Sequence, residues 1–333
     1  MKSNEKNAYL KYLITCLAFI LVIPLNKAGV ISGSAVLTLG TVLIYAVAGV
    51  GMNILIGYSG LITLGAAGFM GLAAYLSAYC TENLGLPFVL SLIISTGIPL
   101  ILGLFVGIIS LRLEGYYLAI ATLAIGEILK QIFIEFQPFT EGFSGKRAQH
   151  ISFFGNELSR ESTYMLYAVI LFVVLVLTHN LINSDTGRSF RAIKGSEAAA
   201  QAMGISMVKY RTTAFALSTF LTALAGVMYM HLIKYSYPTS WGLPTSLNFL
   251  STVVIGGMGS IIAPVFGSLF VYAVPELILK QLPVIGDIPG VAYVFNGVAI
   301  VLVMVFYSDG LVKIGSDIKK LFGRSGKKKD GAK

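Results

Sequence analysis

The chain reads as a succession of long apolar runs separated by short polar interruptions. Residues 28–81 carry no charged side chain, and residues 235–275 repeat that pattern. One membrane crossing needs about 20 predominantly apolar residues, so each block is long enough for two short crossings. Hydropathy predicts helical spans at about 10–26 and 33–56, a third ending near 79, then 86–111, 116–134, 162–182 and 212–233. Beyond them lie a long apolar block at 241–280 and a last one at 289–307. The expected fold class is all-α, a polytopic membrane protein, because a helix satisfies its backbone hydrogen bonds within one segment.

Two stretches are too glycine-rich for ordinary helix interior. Residues 57–65 hold Gly57, Gly60 and Gly65, with Tyr58, Ser59 and Thr63 between them and Asn53 just before. Residues 256–264 hold Gly256, Gly257, Gly259 and Pro264. Paired interruptions of this kind in two halves point to the central path of a transporter. A broken helix frees N–H and C=O groups that are tolerated at membrane depth only where protein or a cavity satisfies them. The plainer reading is close helix packing on small residues. Asn53, Gly57, Tyr58, Ser59, Gly60, Thr63, Gly256, Gly257 and Gly259 are the candidate path residues.

Composition and charge then fix the class and an orientation. Of 333 residues, 56% are hydrophobic and 12% charged, whereas soluble proteins carry about 25% charged residues. The net charge of +9 is no nucleic-acid signal, because the cations gather in particular loops. Cytoplasmic loops are rich in Lys and Arg. With Lys2, Lys6 and Lys11 at the N-terminus, the 112–115 turn, the 183–211 loop and the tail after residue 307 on the cytoplasmic side, 17 of the 24 Lys and Arg residues lie there. Parity then requires the 241–280 block to cross twice, giving about ten transmembrane helices with both termini inside. The expected plan is a cytoplasmic N-terminus 1–9, a membrane domain 10–307 and a basic cytoplasmic tail 308–333. An external loop 135–161 and a cytoplasmic loop 183–211 interrupt the membrane domain. The basic start (Lys2, Lys6, Lys11) precedes an apolar run with no clean small-x-small cleavage site, so it reads as an uncleaved first span.

Enzymatic signatures are absent. Gly142-Phe143-Ser144-Gly145-Lys146 lacks the spacing of a phosphate-binding loop. His150, His179 and His231 show no metal-ligand spacing, and Cys16 and Cys80 read as small core residues. No catalytic or metal-binding residue and no cofactor is assigned to this chain. Glu127 is the one carboxylate well inside a span, three residues before Lys130 on the same helix face. In an ion-coupled transporter it would be a proton or cation site; the preferred reading is an ion pair with Lys130. Glu127 is kept among the candidate path residues.

The 185–210 stretch carries the sharper signal. It is basic, and in its middle Ser196 is a good N-cap, Glu197 puts negative charge in the first turn, and Gly204 can supply a left-handed C-cap. A helix over 197–203 is about 10 Å long and marginal alone, so it makes sense as a docking knob. Ala198, Ala199, Ala202 and Met203 would enter a groove, with Arg191, Lys194 and Glu197 as charged contacts at its rim.

Glu197-Ala198-Ala199-Ala200-Gln201-Ala202-Met203-Gly204-Ile205, preceded by Gly187-Arg188-Ser189-Phe190-Arg191-Ala192-Ile193, resembles the EAA loop of ABC importer permeases. Asn53-Ile54-Leu55-Ile56-Gly57-Tyr58-Ser59-Gly60 and Val254-Ile255-Gly256-Gly257-Met258-Gly259-Ser260 narrow the resemblance to the branched-chain amino acid permeases, in the M-type subunit of the Leu/Ile/Val system. The similarity covers about residues 33–312. It implies a transmembrane permease subunit of an importer in the bacterial inner membrane. The implied partners are a second permease in a heterodimer, two ATPase subunits that hold the ATP and Mg, and an external or periplasmic substrate-binding protein. Departures occur at Ala66, where many relatives carry histidine, at Thr140-Glu141-Gly142 and at Lys194-Gly195-Ser196. Urea and short-chain amide permeases share much of the pattern, and an ion-coupled secondary transporter is the remaining alternative.

Overall fold

A computed structural model describes residues 2–29, 31–113, 115–153, 156–281, 290–306 and 310–311. The chain opens with α1 (Lys2–Ile20), α2 (Val22–Lys27) and α3 (Gly33–Met52), whose backbone continues as a π-helical turn over Asn53–Tyr58. Then follow α4 (Ala66–Glu82), α5 (Phe88–Ile109), α6 (Tyr116–Glu135) and the short α7 (Gln137–Thr140). Three two-residue strands come next, β1 (Lys146–Arg147), β2 (Ser152–Phe153) and β3 (Asn156–Glu157), and then α8 (Arg160–Asn183). The polar stretch folds as α9 (Asp185–Gly195) and α10 (Glu197–Ala202), leading into α11 (Met207–Ile233) and β4 (Tyr235–Ser236). The last elements are α12 (Leu243–Gly256), α13 (Ala263–Ser268), a π-helical turn over Leu269–Ala273, α14 (Val274–Leu277) and α15 (Val291–Phe306).

Among the described residues, seven helical segments are long and apolar enough to cross a membrane: 7–27, 33–58, 88–112, 116–135, 160–183, 207–233 and 263–281. Two shorter apolar helices, α12 and α15, accompany them. The fold is an all-α multi-pass membrane protein.

The core is built around α3 and α11. Residues 42–48 of α3 are buried on every side, and α11 packs against α3, α4 and α5. Small residues bring the backbones close. A Cβ on Gly226 of α11 would lie 2.1 Å from the Met70 carbonyl oxygen of α4. One on Gly267 would lie 1.8 Å from the Thr252 carbonyl oxygen. Between apolar helices in lipid, such close packing replaces the hydrophobic drive that water would supply. The outer helices show the converse. Ile93, Ile101 and Phe105 of α5 are more than half exposed, because in a bilayer the outer face needs no polar stripe.

Several polar groups inside the bundle are paired. The Tyr167 hydroxyl donates to the Met228 carbonyl at 2.7 Å. His231 sits between the Ser77 hydroxyl (2.9 Å) and the Gln149 carbonyl (3.0 Å). Cys16 and Cys80 are buried and free.

Three expectations are corrected here. The 183–211 region is not a loop with one short helix: α9 precedes α10, with Phe190 and Ile193 buried beneath it. Its apolar residues three apart are an amphipathic signal that the basic composition hid. The 135–161 region is not plain loop either, since β1 pairs with β4 and β2 with β3, both antiparallel. The short helix ends at Ala202, with Met203 as its cap. Of the basic tail 308–333, only residues 310 and 311 lie within the described structure.

Candidate functional site

The α9–α10 hairpin sits at one end of the bundle and is anchored from within. The Ser196 hydroxyl accepts the Ala199 N–H at 3.3 Å, the N-cap bond expected of that residue. Gly204 takes φ +79°, and the Ile205 N–H reaches back to the Ala200 carbonyl at 3.0 Å. This is the left-handed closure that glycine permits. Ala200 is buried, whereas Ala198, Ala199, Ala202 and Met203 are exposed, Met203 to 69%. The helix therefore presents an uncovered face of small side chains and one methionine.

Glu197, Arg191 and Lys194 of this hairpin bond back to the chain itself. Glu197 pairs with Arg211, whose side chain is only 5% exposed. Arg211 also donates to the Ser110 carbonyl at 3.0 Å, so one guanidinium ties α10 to the ends of α5 and α11. Arg191 donates to the Ile182 carbonyl at 3.0 Å. Lys194 Nζ donates to the Gly57 carbonyl at 2.7 Å. A polar cavity of about 260 Å³ lies between Gly60, Ile62, Gly115, Glu197 and Arg211.

The two glycine-rich stretches meet at Asn53. Its side chain is 1% exposed and spends both ends across the gap: Nδ2 donates to the Ser260 carbonyl at 2.8 Å, and Oδ1 accepts the Gly259 N–H at 3.0 Å. Gly57 lies against this clamp, since a Cβ there would be 2.0 Å from Asn53 Oδ1 and 2.8 Å from the Gly259 nitrogen. Tyr58, Ser59 and Thr63 are buried, and the Ser59 hydroxyl turns back to the Ile54 carbonyl at 3.0 Å. Gly257 and Gly259 take φ +119° and +80°, and Gly256 abuts the Ala263 carbonyl. Asn53, Gly57, Gly60, Gly257 and Gly259 thus form one assembly together with Lys194.

Glu127 stands apart from it. It pairs with Lys130 at 2.7 Å within α6, its side chain 43% exposed. Among the described residues no three His, Cys, Asp or Glu side chains gather as a metal site. Sequence reasoning missed the anchoring role of Arg211 and its Ser110 partner. The available signal was a cation four residues inside the apolar helix α11 rather than in the loop.

A helical bundle of this kind, with a capped helix uncovered at one end, is that of a multi-pass membrane protein. Its family follows from comparison: residues 34–304 match the family described as branched-chain amino acid transport system / permease component, and the chain belongs to that family. It is a transport subunit and not a catalyst; ATP hydrolysis in such systems lies on partner subunits. The chain is 28% identical over 295 residues to the high-affinity branched-chain amino acid transport system permease protein LivM of Salmonella typhimurium, covering 81% of this chain and 68% of that one. It is 29% identical over the same length to the Escherichia coli LivM protein, with the same coverage. A shorter similarity, 26% over 147 residues and 44% of each chain, links it to the ribose import permease protein RbsC of Haemophilus influenzae.

Proposed function

We propose that this chain is a transmembrane subunit of an ABC importer that moves branched-chain amino acids inward, driven by ATP hydrolysis on two partner subunits. A sister permease completes the translocation unit as a heterodimer, and an external binding protein delivers the substrate. The uncovered Ala198, Ala199, Ala202 and Met203 face carries this reading. Small side chains lose little rotamer freedom on docking, and the inward anchoring of Glu197 leaves that face free to bear a push.

The same reading orients the chain. Lys194 reaches the end of α3 and Arg211 the end of α5, so both helices finish beside α9–α10, the end we assign to the cytoplasm. α11 finishes at the opposite end, where the Ala148 N–H meets the Lys234 carbonyl at 3.1 Å. Counting α4, α12 and α15 as crossings gives ten, with both termini inside. The 53–65 and 256–264 segments would border the path beside the sister permease. Leu, Ile and Val are favoured as cargo over urea or short-chain amides because the LivM relatives align over most of the chain.

The decisive experiment is reconstitution of the full complex in proteoliposomes. Leucine uptake that needs both ATP and the binding protein is expected; uptake driven by a proton gradient without ATP would overturn the reading. Cysteines at Ser184 and Lys328 should label from the same side, and opposite sides would break the ten-crossing count.

A further inference from the structure

We infer that Lys194, Gly57 and Asn53 form a strut that carries motion of α9–α10 into both glycine-rich segments at once, making Lys194 and Asn53 positioning residues for transport. The inference rests on the function proposed above. Three contiguous observations carry it. α9 packs directly on the first segment: a Cβ on Gly60 would lie 3.1 Å from Lys194 Cγ and 3.6 Å from its Cα. The lysine then closes on the Gly57 carbonyl at 2.7 Å, within the π-helical turn Asn53–Tyr58. That turn holds the Asn53 amide, which grips the second segment through the Ser260 carbonyl and the Gly259 N–H.

The chemistry suits a strut. The ammonium to carbonyl bond is charge-assisted and stronger than a neutral one. π-helical turns are local departures from regular helix that recur at functional sites. The Asn53 amide has its orientation dictated by its partners, a carbonyl that must accept and an N–H that must donate. With Gly57 against Asn53 Oδ1, no slack separates the lysine's acceptor from the clamp. A push on α10 that shifts α9 therefore moves 57–60 and 257–260 together rather than one past the other. Such a contiguous, packed chain is the physical form that coupling between sites takes.

The test uses the complete transporter in proteoliposomes and reads ATP hydrolysed per leucine moved. Lys194→Met should leave the ATPase subunits bound and hydrolysing, while uptake falls about tenfold, the scale of one charge-assisted hydrogen bond. Lys194→Arg, which keeps a donor, should restore most of the uptake. Asn53→Leu should raise the same ratio, with Asn53→Gln as a milder variant that keeps the amide. Loss of the ATPase subunits from Lys194→Met would make the lysine a docking contact and overturn the strut. Unchanged uptake in Lys194→Met would overturn it too. A wild-type complex without ATP-driven uptake would instead remove the underlying function.

Discussion

Two ion pairs in this chain look alike on paper and differ in what they hold. Glu127 and Lys130 lie three residues apart on α6, with side chains 43% and 27% exposed. Glu197 and Arg211 are fourteen residues apart, on different helices, and the arginine is 5% exposed. The first pair joins a helix to itself. The second joins α10 to the bundle and also holds the Ser110 carbonyl. Sequence separation and burial, rather than charge, set the consequence of breaking each pair. Lys146, 3.3 Å from Glu141 and with its ammonium 5.4 Å from the Tyr79 ring centre, shares the burial of the second pair but not its separation, since only five residues divide it from Glu141.

Arg211→Met is the strongest test of that contrast. It strips Glu197 and the Ser110 carbonyl of their donor, a loss of about 2–3 kcal/mol for hydrogen bonds to charged groups. Uptake should disappear, and the purified protein should melt at a clearly lower temperature. An unchanged melting temperature would show that the buried pair anchors nothing.

Ala199→Trp sharpens the comparison from the opposite side of the same helix. The side chain is exposed, so stability should shift by no more than about 0.5 kcal/mol. Co-purification of the ATPase subunits should nevertheless fall sharply. A variant that keeps its ATPase subunits would move the docking face elsewhere.

Glu197→Gln should be milder, about 1 kcal/mol, because the amide oxygen still accepts from Arg211. A cycle of Glu197→Ala, Arg211→Met and the double variant, in which each single change removes the contact, gives the coupling energy of the pair. Additive effects would mean that the two residues act separately.

Glu127→Gln should do least. An i,i+3 pair on one helix contributes about 0.2–0.5 kcal/mol, and uptake should stay close to wild type. A loss as large as that of Arg211→Met would break the comparison and return Glu127 to the translocation path.

Much of this was legible in the chain. The apolar runs carried the helices, because lipid leaves the backbone no partner but itself. The cap residues Ser196 and Gly204 carried the short helix, because capping is local chemistry between neighbours. The two glycine-rich stretches stood out, because glycine in quantity disagrees with continuous helix. What composition concealed was α9: its basic residues read as loop, while Phe190 and Ile193 are buried in a helix that packs on α8, α10, α11 and the end of α3.

The partners of the polar groups were decided by tertiary structure alone. Lys194 counts among the loop cations in sequence, yet it serves a carbonyl 137 residues away. Asn53 looks like a stray amide in an apolar run, yet it joins two segments 207 residues apart. Sequence fixes where a donor or acceptor lies along a helix, because that needs only local geometry. Which group it meets depends on how the helices cross, and those crossings are set by packing of small residues that no local pattern encodes.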